Sequence, residues 1–549
     1  MDAFTLSDAL LDEILELSPV TSTMLGVAGR DHLWDDLSPT GIEKTRLMAD
    51  RYRAQLLQMG EPEERWERLA WRVTLTLVEE WLDLLEHGDP FRDLNNIASP
   101  FQQIRDVFDI QDTSNWDALI TRLSTFNRPL SGYRATLEEG RRMGVLASRR
   151  QVEAVITQAE VLAGSDSPLH RFKTDLAASE QATPELTAAM ESAISAAKVA
   201  AAEFAAYLAS TYLPDALVAD GVGADRYVRV TRRFLGMRID PEETYRWGWG
   251  EVSDLRRQMI ETATLIDPSK SLDDVVRLLK TDPERCVPSK EEFVEFMKRR
   301  LHAAVQELDG TTFDIPQPIK KVDVKMAPPG GALGAYYMQP SEDFSRPGSV
   351  WWSMGTKQVF PLWDEVSTAY HEGFPGHHLQ IGVAMTLGDH LSRLHRLVIW
   401  YPGYGEGWAL YTELLMNELG YLEKPEYVLG MLAAEMLRAC RVAIDIGSHL
   451  DLPIPDDAPF HPGERWTFEL AVELLTDFTF LADEYAKSEV TRYLGWPGQA
   501  ISYKVGERVI LELREEFLSQ GGDLREFHSR VLGSGAVGLD LLRDLVLES

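Results

Sequence analysis

Three histidines and a glutamate fall within eight residues, His371-Glu-Gly-Phe-Pro-Gly-His377-His378. In a His-Glu-x-x-His motif two imidazoles stand one helical turn apart and reach one metal ion, while the intervening Glu serves as general base. Here the i+4 position is Pro375. A straight helix would carry residue i+7 about 10 Å further along its axis. Pro375-Gly376 must therefore distort the helix for His377 or His378 to swing back to an ion held by His371. Two imidazoles need a third protein ligand and leave one position open for water.

Other groups able to join this chemistry follow downstream. Seven of the twelve histidines lie between residues 371 and 461, a sixth of the chain. Tyr404-Gly-Glu406-Gly-Trp-Ala-Leu-Tyr-Thr-Glu413 reads as a helix opening after Pro402-Gly403, with Glu406 near its start and Glu413 two turns on. Glu413 taken alone reads more readily as structural. Arg438, Arg441, Asp445 and His449 share a later helix, where 441, 445 and 449 step by four and line one face. That face could bind a substrate carboxylate, steady an oxyanion or form an internal ion-pair network. Tyr503, within Pro497-Gly-Gln-Ala-Ile-Ser-Tyr503, offers a phenol that could donate to a developing oxyanion.

Most of the chain must serve to position these groups. Apolar residues recur at helical spacing over about 40–59, 61–86, 115–127, 130–145, 149–163, 184–212, 241–265, 271–280 and 289–308. Thr40-Gly-Ile-Glu43 fits a capping box for the first of these. The pattern changes at Asp314-Ile-Pro-Gln-Pro318. Alternation over Ile319–Met326, Pro328-Pro-Gly-Gly331, the aromatic run Ala332–Met338 and Ser349-Val-Trp-Trp-Ser353 predict a small β-sheet around residues 319–354. An exposed edge there could pair with an extended peptide. Helices resume from about Leu362. We expect a mostly α fold with a small inserted sheet, organised as an N-terminal helical region (1–313) and a catalytic region (314–549).

Composition narrows the function. A formal charge of −32 disfavours nucleic acid and anionic membrane surfaces as partners. Two cysteines, Cys286 and Cys440, exclude a disulfide framework and a cysteine zinc site, so any metal must be held by His and carboxylate. Met1–Leu10 lacks the basic start and apolar run of a signal peptide, and the expected location is the cytoplasm.

Taken together, the His371–Gln380 segment, Glu406-Gly-Trp-Ala-Leu-Tyr411, Arg441–His449, Pro497–Tyr503, Ser18–Gly26 and Asp343–Gly348 resemble the bacterial family catalogued as domain of unknown function 885. The resemblance spans nearly the whole chain. It implies a zinc metallopeptidase of the gluzincin type, similar in its largely helical build to thimet oligopeptidase and angiotensin-converting enzyme. It implies one Zn²⁺ held by His371, His377 and Glu406, with His378 a rival for the second position. Glu372, Tyr503 and His449 are then the catalytic candidates, and Arg441, His378 and Tyr336 the substrate-binding ones. The substrate would be a short peptide or peptide-like metabolite. Leu450–Pro459 stands where a short Gly-Trp step is expected, so specificity is not inherited. Two alternatives remain: an Fe or Mn enzyme of a biosynthetic pathway, and a non-catalytic metal-binding protein.

Overall fold

A computed structural model describes residues 2–327, 334–355 and 359–548. The fold is mostly α, with one three-stranded and one two-stranded sheet among the described residues. The chain divides into two compact units, one of Met1–Gly221 with Ser392–Leu397 and Leu494–Trp496, the other of Val222–Leu391, Val398–Tyr493 and Pro497–Ser549.

In the first unit, helix Pro184–Tyr207 buries a stripe of small residues, Ala193, Ala197, Ala200, Ala201 and Ala205, with Phe204 near its C-terminal end. Small side chains let neighbouring helices approach closely, and Arg149–Ala163 and Trp116–Ser124 pack against this one. Helix Pro39–Met59 begins two residues earlier than the capping box suggests: the Ser38 hydroxyl accepts from the Gly41 amide, and Pro39 fills the first helical position. Helices Ala3–Leu17, Pro19–Met24, Arg65–Glu86, Pro100–Ile110, Asn127–Met143 and Arg171–Ala178 also belong to this unit.

The second unit is organised around helix Pro425–Leu450, buried on nearly every face as its apolar composition requires. Helix Pro241–Ile266 crosses it where Gly248 leaves room for Val442. Helices Pro402–Glu418 and Ser502–Ser519 meet backbone to backbone. A Cβ on Gly506 would lie 2.0 Å from the Gly403 carbonyl oxygen, and one on Gly407 would lie 2.5 Å from the Gly506 carbonyl carbon. This contact brings Glu406 and Tyr503, each in the first turns of its helix, to the same region.

The sheet lies within the predicted interval. Strand Val322–Met326 pairs in parallel with Gly348–Ser353, which pairs antiparallel with Gly334–Met338. Among the described residues Gly334–Met338 is therefore an edge strand. Pro328–Gly331 and the start of the aromatic run fall outside the described residues. A second pairing, Cys286–Val287 with Phe360–Pro361, was not anticipated because two-residue strands carry no periodic signal.

The close contact at Gly506 generates a matched test. Gly506→Ala should lower the melting temperature by several degrees, because the added methyl meets backbone that cannot yield. Gly250→Ala, on a helix face with nothing within 4 Å, should be neutral or stabilising. Equal melting temperatures for the two variants would contradict the packing described.

Candidate metal centre

The helix carrying His371 stops instead of bulging. Glu365–Glu372 is one helix and His377–Thr386 another, separated by Gly373-Phe374-Pro375-Gly376. Both glycines are required by close backbone approach. A Cβ on Gly376 would lie 1.9 Å from the His371 carbonyl oxygen, and one on Gly373 would lie 2.6 Å from that of Ala369. The Gly376 amide donates to the Tyr370 carbonyl (3.0 Å) and the His378 amide to that of Gly373 (3.1 Å), so the break satisfies its own backbone. The Phe374–Pro375 bond is cis, and the Trp408 indole donates to the Pro375 carbonyl at 3.0 Å.

The turn brings His371 and His377 together, with ring centroids 5.0 Å apart and nearly perpendicular planes. Glu406 Oε2 lies 3.5 Å from His371 Nε2 and 3.4 Å from His377 Nε2. Ligands on a tetrahedral ion at about 2.0–2.1 Å stand about 3.3–3.4 Å from one another, so these atoms are spaced to share one ion. Among the described residues, His371, His377 and Glu406 form a group able to hold a metal, their ligand atoms all within 4.8 Å of one another.

The surroundings favour a cation. His371 Nδ1 meets the buried Glu413 carboxylate at 2.9 Å, and Ser367 donates to the other Glu413 oxygen. A carboxylate behind a ligand histidine fixes its tautomer and orientation. Burial would lower the His371 imidazole, but Glu406 and Glu413 outweigh it and lift it to about 10. Burial would raise Glu406, yet hydrogen bonds from His371 and His377 hold it well below its ordinary range. Burial pushes the Glu372 carboxyl up, against the pull of His371 and His377.

These groups line a cavity of about 320 Å³ together with Glu372, Tyr336, Tyr337, Ile381, Trp400, Arg438, Arg441 and Tyr503. Of the residues singled out from sequence, His371, Glu372, His377, Glu406, Arg441, Tyr503 and Tyr336 thus converge. His378 does not: its Nε2 donates to the Ile319 carbonyl (2.7 Å) and its Nδ1 accepts from the Tyr337 hydroxyl (3.0 Å), which leaves no nitrogen for an ion or a substrate. It ties the sheet to the metal turn, and Gly348 provides the space.

His449 does not converge either. It lies two turns beyond Arg441, about 12 Å along the helix, where Nε2 donates to the Tyr493 carbonyl and the ring packs against Tyr227. The step-of-four reading placed it on the right face but too far along. Sequence reasoning undervalued Glu413 and missed Trp400, although Glu413 sits seven residues from Glu406 and so on the same face.

A mostly helical protein with a His-His-Glu centre in a small cavity is thereby defined. The chain belongs to the family described as "Bacterial protein of unknown function (DUF885)", which matches residues 19–546. No curated protein sequence matches it significantly. The fold is similar to that of a "putative lipoprotein" from Colwellia psychrerythraea, at 23% identity and a TM-score of 0.85, covering 99% of this chain and 98% of the other. It is also similar to a "putative lipoprotein of unknown function" from Shewanella oneidensis, at 18% identity and a TM-score of 0.75 over 100% of both. A carboxypeptidase of Pyrococcus furiosus aligns over 92% of this chain and 90% of its own, at 11% identity and a TM-score of 0.34, too low to carry any argument. The expectation of a cytoplasmic protein is overturned by the first two, described as lipoproteins and alike in fold from end to end. No described helix is long and apolar enough to cross a membrane.

Two predictions arise here. Glu413→Gln should weaken metal affinity by about 10–100-fold without changing the one-to-one stoichiometry, whereas His371→Ala should abolish binding; titration by calorimetry reads both, and an unaltered affinity in Glu413→Gln would refute the orienting role. The second concerns Asp445, whose Oδ1 accepts from the Tyr227 hydroxyl (2.6 Å) and the Gly498 amide (3.0 Å). Burial pushes its carboxyl up to about 7, against the lowering effects of those bonds and of the Arg492 charge. The folded protein then binds more protons than the unfolded chain between the ordinary value of 3.8 and about 7, so stability falls as pH rises through that window. Asp445→Asn keeps the acceptor and removes the titration. Its melting temperature should gain on wild type between pH 5 and pH 8, and a constant difference would contradict the assignment.

Proposed function

We propose that this protein is a metal-dependent hydrolase that cleaves amide bonds of short peptides or peptide-like metabolites. The observation that carries the reading is the spacing of His371, His377 and Glu406 at the wall of a cavity that Glu372 and Tyr503 also line. The order along the chain, two histidines flanking a short helix break and a Glu opening a later helix, resembles the gluzincin arrangement. A zinc-class ion held by the three residues would supply a Lewis acid and lower the pKa of water at the remaining position.

Each other role falls to a residue of the chain. Glu372 follows His371 directly, so the helix that fixes the ligand also fixes the base. Its carboxylate takes a proton from the attacking water and returns it to the leaving amine. A carboxyl raised by burial is suited to both directions of that transfer. The Tyr503 hydroxyl donates to the carbonyl oxygen as negative charge builds there. Arg441 holds the Tyr503 ring, its guanidinium 4.5 Å from the centroid. Glu413 keeps His371 oriented through both steps. The edge strand Gly334–Met338 brings Tyr336 and Tyr337 to the cavity wall, where an extended substrate could lie alongside.

The same donors, two histidines and one carboxylate, also serve iron oxygenases. Metal analysis of protein purified without added metal separates the readings, because stoichiometric iron with oxygen-dependent turnover would displace the hydrolase. For the hydrolase, Glu372→Gln should retain full metal content and lose about 10²–10⁴-fold in kcat. Tyr503→Phe should lose about 10²–10³-fold in kcat with KM little changed. Full activity in Glu372→Gln would remove the general-base assignment.

A further inference from the structure

The cavity that holds the metal centre also receives two arginines, in a chain whose net charge is −32. Arg438 and Arg441 stand one turn apart on helix Pro425–Leu450, and both guanidinium groups face the ring of Tyr503, at 5.8 and 4.5 Å. Arg441 is only 6% exposed. Its Nε donates to the Tyr493 hydroxyl (3.1 Å) and its Nη2 to Glu489 (2.8 Å), while Nη1 is buried with no hydrogen-bond partner.

The carboxylate behind Arg441 is shared as well. Glu489 accepts from Arg441 and also from Arg492 Nε and Nη2, at 3.1 and 2.9 Å, and from the Tyr493 hydroxyl at 2.6 Å. One carboxylate thus serves two guanidinium groups, and it leaves Arg441 Nη1 without a partner. Holding Tyr503 in place needs the Arg441 plane and explains Nε and Nη2, but it does not explain a buried, unsatisfied N–H. Such a group costs free energy unless something meets it. A carboxylate is the partner whose geometry and charge match a guanidinium edge.

The cavity size sets how far that carboxylate stands from the reacting bond. If spherical, a space of 320 Å³ is about 8–9 Å across, and an extended chain advances about 3.3–3.6 Å per residue. Only one or two residues fit between a group on Arg441 and a carbonyl at the metal centre. Ile381 and the half-exposed rings of Tyr336 and Trp400 line the same space, which favours an apolar side chain in between.

Resting on the hydrolase reading, we propose that Arg441 Nη1 binds a free carboxylate of the substrate one or two residues from the scissile amide, so that the enzyme acts at the C-terminal end of short peptides. An acidic side chain offers the same chemistry from a second source, and the test separates the two.

The test uses the metal-loaded full-length protein and three N-acetyl dipeptide forms: an apolar dipeptide acid, its C-terminal amide, and an amide ending in Glu. Binding is read by calorimetry with N-acetyl-phenylalanine and its amide, and cleavage by mass spectrometry. The acid should be favoured over the amide by about 10–100-fold in kcat/KM and in affinity. Arg441→Gln should erase that preference chiefly through KM, with partial recovery in Arg441→Lys. Rescue of the amide by terminal Glu would support the carboxylate site and assign it to a side chain. Equal binding and cleavage of acid and amide would overturn the inference and leave the hydrolase standing. If no peptide is cleaved, the hydrolase reading fails, and the calorimetric comparison still decides the carboxylate site: tighter binding of the acid supports it, equal binding overturns it. The acid-to-amide comparison on wild type needs no variant, so it decides the matter even if Arg441→Gln fails to fold.

Discussion

Everything at the centre depends on the chain reversing its helical course between Glu372 and His377. One continuous helix would separate the two imidazoles by about 9 Å along its axis, and no single ion could reach both. The Gly-Phe-Pro-Gly break replaces that rise with a turn in which the Gly376 amide returns to the Tyr370 carbonyl. The turn is feasible only because two glycines let backbone approach backbone where a Cβ would collide. Trp408 then fixes it from the next helix by donating to the Pro375 carbonyl, and that helix also carries Glu406. The same segment therefore carries the third candidate ligand and anchors the turn that aligns the first two.

A second layer of buried polar contacts decides how those ligands point. Glu413 with Ser367 holds His371, and the Tyr337–His378–Ile319 chain joins the edge strand to the metal turn. Glu489 gathers Arg441, Arg492 and Tyr493 behind Tyr503. Each is a charged or strongly polar group removed from water, costly unless its partners are in place. Partners of this kind, Glu489 and Tyr493 for Arg441, Tyr227 for Asp445 and the Tyr493 carbonyl for His449, let helix Pro425–Leu450 be buried almost all round while bearing charged and polar groups.

Much of this was legible in the sequence, for reasons that differ by residue. Long amphipathic helices such as Arg149–Ala163 and Pro241–Ile266 announce themselves by periodicity, the second also by its proline and acidic start. Pro100–Ile110 and Ala224–Leu235 were not anticipated, although each alternates polar and apolar faces at helical spacing. His371 and Glu372 follow from residue type and spacing, and Glu406 from the family resemblance. The choice between His377 and His378 does not, because adjacent helical residues point about 100° apart and only the direction in which the chain leaves the break selects one. His449 misled because position on a helix face says nothing of distance along it.

The central claim is that the break presents His371 Nε2, His377 Nε2 and Glu406 to a single ion. It is tested most directly by anomalous diffraction at the metal edge from a crystal of the metal-loaded protein. The account predicts one peak bonded to those three side chains, with a further coordination position open toward Glu372. A peak on His378, or an ion enclosed by four protein ligands, would contradict it.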